Sequence, residues 1–146
     1  MDVTYTNRIS VEDYVFLRNA VGFKPLSKRQ AELALENQSY LIVAKDGDKT
    51  IGMSRLVFDK AYVAVVVDVI VLPEYQRQGI GKHMINGLMT YIDGVAVEGE
   101  HILVLLMAVH GKESFYKKFG FIERPDDTYG AGMSQWISKT KSETSI

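Results

Sequence analysis

The sequence contains no cysteine and only three prolines in its 146 residues. The lack of cysteine excludes a disulfide scaffold, a cysteine nucleophile and metal sites built from thiolates. It also fits a reducing compartment, so we expect a cytoplasmic protein. The three histidines, His83, His101 and His110, show no metal-ligand spacing, and we therefore predict no metal.

The chain also lacks an excess of charge and a long apolar run. Its net charge is −1, which gives no electrostatic reason to expect a nucleic-acid or membrane partner. No apolar run approaches the roughly 20 residues of a membrane span, and we expect no signal peptide because the first residues form no apolar segment. The 47% hydrophobic content suits one folded domain. We predict that domain over residues 1–138, followed by a polar tail over residues 139–146.

The most informative stretch begins with the apolar run Tyr62–Leu72, which is interrupted by a single charge, Asp68. The run predicts a strand. It leads through Gly79 and Gly81 into a stretch, Lys82–Ile92, whose apolar residues recur at helical spacing. A strand that passes through glycines into a helix exposes backbone N–H groups at the positive end of the helix dipole. This junction is therefore a candidate anion site.

Three phosphate-binding patterns compete for this junction. The P-loop fails because Gln76 stands where its first glycine belongs and His83 stands where Ser or Thr belongs. The dinucleotide fingerprint fails because its third glycine is replaced by Met84. The third pattern is Gln/Arg-x-x-Gly-x-Gly/Ala after a strand that ends in Val-x-Pro. It is matched by Val71–Pro73 and Gln76–Gly81.

This third pattern resembles the coenzyme A loop of the GNAT superfamily of N-acetyltransferases. A second stretch, Phe115–Phe121, resembles the family's other signature, a helix that carries a tyrosine and ends in Gly-Phe. The resemblance extends from about Ser39 to Ile137. It implies an acetyl-CoA-dependent enzyme that acetylates a primary amine of a small molecule within a ternary complex. It also makes a homodimer a candidate.

Alternatives from other classes stay open. One is a non-catalytic acyl-CoA-binding or sensor module on the same fold, and another is an acetyltransferase that acts on protein or peptide amines. A nucleotide-binding oxidoreductase or kinase is disfavoured because its motifs fail.

The predicted fold class is α/β (α+β), a single-domain GNAT-like fold. It has a mixed, mostly antiparallel sheet with one parallel strand–helix–strand crossover and helices on both faces. The predicted strands are Val3–Thr6, Tyr40–Lys45, Thr50–Phe58, Tyr62–Leu72, a buried His101–Val109 and Gly132–Ser138. The predicted helices are Val11–Ala20, a helix capped by Ser27 that runs to about Asn37, Lys82–Ile92 and Lys112–Phe119.

The resemblance assigns coenzyme binding to the glycine loop, to the end of the preceding strand and to the start of the last helix. The strand is expected to carry a β-bulge that frees backbone groups for pantetheine and the acetyl carbonyl. Many relatives have an asparagine before the last helix that this sequence lacks, so a lysine or serine is expected to replace it. The residues concerned are Ile70, Val71, Gln76, Arg77, Gln78, Gly79, Ile80, Gly81, Lys82, Lys112, Ser114 and Tyr116.

Two side chains are catalytic candidates. Tyr116 matches the family's tyrosine near the thioester sulfur, and its phenol is protonated at pH 7 and can donate to a thiolate. Asp68 is the candidate general base, with a structural carboxylate as the alternative. Phe23 and Arg55 are candidate acceptor contacts. The alternatives are a hydrophobic plug for Phe23 and a plain surface position for Arg55.

Overall fold

The computed structural model describes residues 2–139. The chain divides into two compact units, Met1–Met107 and Ala108–Ile146. The predicted domain boundary at residue 138 stays a prediction, and most of the predicted tail lies outside the described residues. The elements of the first unit are β1 (Val3–Thr6), α1 (Val11–Ala20), α2 (Lys28–Asn37), β2 (Tyr40–Asp46), β3 (Lys49–Phe58), β4 (Val63–Val71), α3 (Ile80–Val95) and β5 (Leu103–Leu106).

The five strands of the first unit form one mixed sheet in the order β1-β2-β3-β4-β5. Strands β1 to β4 pair antiparallel with their neighbours, whereas β4 and β5 pair parallel. The segment from β4 through α3 to β5 is therefore the parallel crossover that the sequence predicts. The mixed sheet confirms the predicted fold class.

Helices cover both faces of this sheet. Gly52 of β3 faces α3, since a Cβ atom built on it would lie 3.4 Å from Cε of Met84. Arg55 stands three residues further along β3 and so points to the opposite face. There its Nη1 donates to the carbonyl oxygen of Ala34 in α2, at 3.0 Å. Helices α1 and α2 thus pack on one face and α3 packs on the other.

Serine side chains cap both α1 and α2, and the cap at Ser27 is as predicted. Ser27 and Gln30 form a reciprocal capping box, with each side chain bound to the other residue's backbone N–H. Ser10 accepts from the backbone N–H of Asp13, but the Asp13 carboxylate does not return the bond. It accepts instead from the Thr50 hydroxyl at 2.7 Å, which ties α1 to β3.

Helix α3 is longer than the predicted Lys82–Ile92 at both ends. The helix begins at Ile80, and Gly79 occupies the position before it with a left-handed φ of 85° and no side chain to cap the helix. An internal glycine, Gly87, is used for packing, since a Cβ atom there would meet Cδ1 of Ile42 at 2.3 Å. Glycine within this helix therefore permits close approach to β2.

Strand β5 is shorter than the predicted His101–Val109, and the prediction that it is buried is wrong. The strand covers only Leu103–Leu106, in which Leu103 and Leu105 are 44% and 36% exposed. Val104 and Leu106 are half-buried. An unbroken apolar run does not indicate whether one face or both faces of a strand are covered. In β5, exposed and half-buried residues alternate along the strand.

The second unit contains one short helix among its described residues, α4 (Glu113–Lys117). The predicted helix Lys112–Phe119 is too long, and the chain turns through a left-handed Gly120 with φ 90°. The predicted strand Gly132–Ser138 is wrong, because this segment is irregular. Its Met133 and Ile137 side chains are 92% and 83% exposed, so the segment buries no apolar face.

The apolar core of the first unit lies where helices meet the sheet. Fully buried members include Leu17, Val43, Ile51, Met53, Leu56, Met84, Ile85 and Leu88. Within residues 2–139, no helix is long and apolar enough to cross a membrane. The same residues contain no group of three or more His, Asp or Glu side chains placed to hold a metal ion.

The contact between β3 and the end of β4 predicts that an added methyl group at Gly52 is costly. A Cβ atom there would lie 2.8 Å from the backbone oxygen of Ile70, which cannot move without disturbing β4. We expect Gly52→Ala to lower the free energy of unfolding by about 1–3 kcal/mol in urea denaturation. The control is Gly94→Ala in α3, where nothing lies within 4 Å. Equal midpoints for the two variants would contradict this packing.

Candidate active site

Strand β4 carries a β-bulge at Asp68. The register pairs Val67 with Arg55 and Ile70 with Met53, so two β4 residues stand opposite one β3 residue. Asp68 adopts a left-handed φ of 51°, which is uncommon outside glycine but most tolerated by Asn and Asp. The bulge that the family resemblance implies thus lies just before Ile70.

Beyond this bulge, β4 separates from β5. The parallel ladder ends at the pair Val66 and Leu106, whereas β4 continues to Val71. Ile70 and Val71 therefore lie in a stretch of β4 with no strand partner on the β5 side of the described sheet. An extended ligand can add to such a strand edge by main-chain hydrogen bonds.

The loop after β4 leads into an uncapped helix N-terminus. Arg77 and Gly79 adopt left-handed φ values of 64° and 85°. The first hydrogen bond of α3 is accepted by the carbonyl oxygen of Gly79. The N–H groups of Ile80, Gly81 and Lys82 precede that bond and have no acceptor within the helix. No side chain caps this end, so the helix presents free donors and its positive dipole end.

Contacts with the β2–β3 hairpin hold this loop in place. The chain after β4 forms a 3₁₀ turn, Pro73–Tyr75. The Tyr75 hydroxyl donates to Asp46 at 2.7 Å, and Glu74 pairs with Lys49 at 3.4 Å. On the other side of the turn, Nε2 of Gln76 donates to the backbone oxygen of Val71 at 2.9 Å. The loop is thereby fixed relative to the end of β4.

The carboxylate of Asp68 is the centre of a buried cluster on the opposite face from α3. It accepts from the Tyr14 hydroxyl at 2.6 Å, from Nε of Arg55 at 2.8 Å and from Nη1 of Arg18. The Asp68, Arg55 and Arg18 side chains are only 6%, 10% and 12% exposed. The cluster therefore joins α1, β3 and the β4 bulge through charge-assisted hydrogen bonds.

The pKa of the Tyr14 phenol is raised to about 12. Burial is the largest cause, and the hydrogen bond to Asp68 is the second. Tyr14 is thus a protonated donor at neutral pH. The arrangement around Asp68 favours the structural alternative for this residue, because both carboxylate oxygens already accept hydrogen bonds. Its assignment as a general base stays a prediction.

A cavity of about 510 Å³ lies between α1, α2 and the sheet, directly over this cluster. Arg55, a predicted acceptor contact, lines it. Phe23 is not among the lining residues, and its ring centroid lies 5.5 Å from the guanidinium carbon of Arg18. The lining residues are Tyr14, Arg18, Leu26, Gln30, Leu33, Ala34, Arg55, Val67 and Asp68.

In the second unit, Tyr116 lies within α4 in a small aromatic cluster. Its ring makes edge-to-face contacts with Phe115 at 5.0 Å and with Phe121 at 6.2 Å. Burial raises the pKa of the Tyr116 phenol, which keeps it protonated at neutral pH. The two predicted replacements for the family's asparagine, Lys112 and Ser114, stand exposed at the start of this helix.

Comparison with known proteins identifies the family. The profile of the Acetyltransferase (GNAT) domain matches residues 37–123. This chain belongs to the GNAT acetyltransferase family.

Named relatives agree with this assignment. The uncharacterized N-acetyltransferase ycf52 of Pyropia yezoensis is 33% identical over 118 residues, covering 78% of this chain and 66% of the relative. The histone acetyltransferase TAP1 of Glycine max is 31% identical over 136 residues, covering 84% of this chain and 56% of the relative. This GNAT acetyltransferase thus spans about half to two thirds of these relatives.

A solved structure shows the same fold. The probable acetyltransferase SA2161 from meticillin-resistant Staphylococcus aureus, a protein of unknown function, superposes with a TM-score of 0.81 at 33% identity. The match covers 92% of this chain and 100% of that chain. The predicted family membership is therefore confirmed.

Tyr14 and Arg18, which hold the Asp68 carboxylate, were not predicted from the sequence. They stand four residues apart and so share one face of α1. Tyr14 falls at a position where an amphipathic helix places apolar core residues. Its spacing therefore does not indicate that its hydroxyl group binds Asp68. The available signal was Asp68 itself, since a carboxylate in an apolar strand needs cationic or hydrogen-bonding partners.

The cluster predicts a large and specific loss of stability when its carboxylate is removed. In Asp68→Ala, two guanidinium groups would be left buried without their shared counter-ion. We expect the free energy of unfolding to fall by about 3–5 kcal/mol in denaturant titration. The control is Glu74→Ala, which removes a carboxylate from an exposed ion pair and should change stability little. Similar losses for the two variants would contradict the structural importance of the cluster.

Proposed function

We propose that this GNAT acetyltransferase transfers the acetyl group of acetyl-CoA to a primary amine of a small molecule by direct attack in a ternary complex. One observation carries this proposal: the unpaired end of β4 continues, through a loop anchored to the β2–β3 hairpin, into the N-terminus of α3, which no side chain caps. A strand edge suits an amide-bearing pantetheine arm, and free helix N–H groups suit a diphosphate. The strand edge and the helix N-terminus are consecutive along the chain, just as the pantetheine arm and the diphosphate are joined in coenzyme A.

The proposed coenzyme site uses mainly backbone groups. The diphosphate would accept hydrogen bonds from the N–H groups of Ile80, Gly81 and Lys82, with Arg77 and Lys82 adding positive charge. The thioester arm would lie along β4 near Ile70 and Val71. A backbone N–H there would polarise the acetyl carbonyl and stabilise the negative charge that develops on its oxygen.

Transfer then needs a neutral amine. An alkylamine with a pKa of about 10.4 is neutral in about one molecule in 2,500 at pH 7, a cost of about 4–5 kcal/mol. Its nitrogen attacks the acetyl carbon, the carbon–sulfur bond breaks, and the amine loses one proton while the thiolate gains one. Because Asp68 would have to give up ion pairs to take that proton, we propose that the proton leaves to solvent. By the family resemblance, Tyr116 is the proposed donor to the thiolate.

A protein or peptide amine is the second candidate acceptor. Its support is the relative from Glycine max that is named a histone acetyltransferase and is 31% identical to this chain. We prefer a small acceptor because the cavity beside β4, at about 510 Å³, falls within the usual range of small-molecule sites.

Ligand-induced stabilisation tests the coenzyme site. We expect acetyl-CoA to raise the melting temperature of the wild-type protein, and NAD and ATP to leave it unchanged. Gly81→Val should weaken acetyl-CoA binding at least about tenfold, because a branched side chain blocks approach to the backbone N–H groups. Gly94→Ala near the far end of the same helix is the control and should bind normally. Stabilisation by NAD or ATP but not by acetyl-CoA would overturn the proposal.

Removal of the Tyr116 hydroxyl group tests whether this residue protonates the leaving thiolate. It also distinguishes an enzyme from a non-catalytic acyl-CoA sensor module. Tyr116→Phe should reduce kcat about a hundredfold while leaving the Kd for acetyl-CoA unchanged. Since burial raises the pKa of Tyr116 above its ordinary value of 10, ionisation of this phenol should not reduce turnover below pH 10. The measurement is thiol release across a pH series, with Tyr129→Phe as the control. Unchanged kcat in Tyr116→Phe would remove this residue from the mechanism.

A further inference from the structure

We infer that the amine acceptor also carries a carboxylate, which binds in the cavity against Arg18 and Arg55. The inference rests on the proposed function and adds the chemical class of the acceptor. The acceptor it describes has three parts: an amine that reaches the thioester, an apolar spacer and a single carboxylate.

The first argument is the charge of the cavity. Asp68 is the only acid among the residues that line it, and Arg18 and Arg55 are the only bases. Two guanidinium groups thus share one carboxylate, so one positive charge stays unbalanced. Buried charges are stable when they are paired, and a monoanionic ligand would complete the pairing.

The second argument is the supply of unused donors. A guanidinium group has five N–H bonds. Arg55 uses Nε for Asp68 and Nη1 for the backbone of Ala34, and its Nη2 has no hydrogen-bond partner among the described residues. Arg18 uses Nη1 for Asp68 and Nη2 for the backbone of Lys24, and its buried Nε has no partner there. Buried donors of this kind are rarely left unpaired, and a carboxylate in the cavity would accept from Nη2 of Arg55 beside the Arg18 guanidinium.

The third argument concerns the rest of the wall. Leu26 and Leu33 give part of the lining an apolar surface on which an alkyl spacer can pack. A diamine would bring a second cation next to the two guanidinium groups, whereas a phosphate dianion would exceed the single unbalanced charge. The cavity therefore best fits an amino acid with its amine and carboxylate separated by an apolar chain.

The test compares acceptors that differ only at the remote end. Thiol release from acetyl-CoA is measured with a series of ω-amino acids, with the carboxamide of each and with the diamine of the same length. We expect kcat/KM for the best ω-amino acid to exceed that of both partners at least about tenfold, which corresponds to about 1.4 kcal/mol. An aminoalkyl phosphate and a lysine-containing acidic peptide are included as further acceptors.

A matched pair of variants tests whether the acceptor's carboxylate is recognised at Arg18. Arg18→Met should raise the KM for the ω-amino acid and bring its advantage over the carboxamide close to one. The control is Arg29→Met, which removes an exposed arginine from the neighbouring helix α2. The wild-type comparison stands by itself if Arg18→Met does not fold.

The possible outcomes distinguish a failure of the carboxylate inference from a failure of the proposed acetyltransferase function. A carboxylate preference that Arg18→Met abolishes supports the inference. Equal or faster acetylation of the carboxamide or diamine overturns it and leaves the acetyltransferase function intact. A preference for the phosphate or for the acidic peptide also overturns it. No thiol release with any amine, together with no acetyl-CoA binding, overturns the proposed function and the inference with it.

Discussion

The buried ion cluster at Asp68 is the interaction on which the described site depends. One carboxylate accepts hydrogen bonds from Tyr14, Arg18 and Arg55, and so connects α1 and β3 to the bulge of β4. Carrying three charged groups out of water is costly, and their mutual attraction offsets that cost only when the geometry is well satisfied. The cluster therefore specifies one arrangement of these elements, since a displaced partner would leave a buried charge unpaired.

The position of this cluster explains the shape of the site on either side of it. A bulge bends its strand and increases the local twist, and the β4–β5 ladder ends just before Asp68. The end of β4 is thereby released from β5 and leads into the exposed N–H groups of α3. On the face covered by α1 and α2, the same side chains form the floor of the cavity between these two helices. One buried carboxylate thus lies between the proposed coenzyme and acceptor sites.

Much of this arrangement could be predicted from local sequence, because the responsible signals are short-range. Ser27 and Gln30 specify a helix start by themselves, and the two glycines of the Gln76–Gly81 pattern mark the junction between the loop and α3. Asp68 was noticeable as the single charge in an apolar strand. These features depend on neighbours within a few residues, so no tertiary information is needed to see them.

The remainder depended on tertiary contacts that the sequence does not encode locally. The partners of Asp68 stand 54, 50 and 13 residues away along the chain. The exposure of Leu103 and Leu105 depends on what covers each face of β5, which an apolar run cannot indicate. Gly132–Ser138 was predicted as a strand, yet the segment has no buried apolar face to stabilise that conformation.

A crystal structure of the protein with coenzyme A tests the central claim most directly. The account predicts the pantetheine arm against the backbone of Ile70 and Val71, and the diphosphate within hydrogen-bonding distance of the N–H groups of Gly81 and Lys82. Coenzyme A bound away from the end of β4, or with its diphosphate distant from the start of α3, would contradict the account.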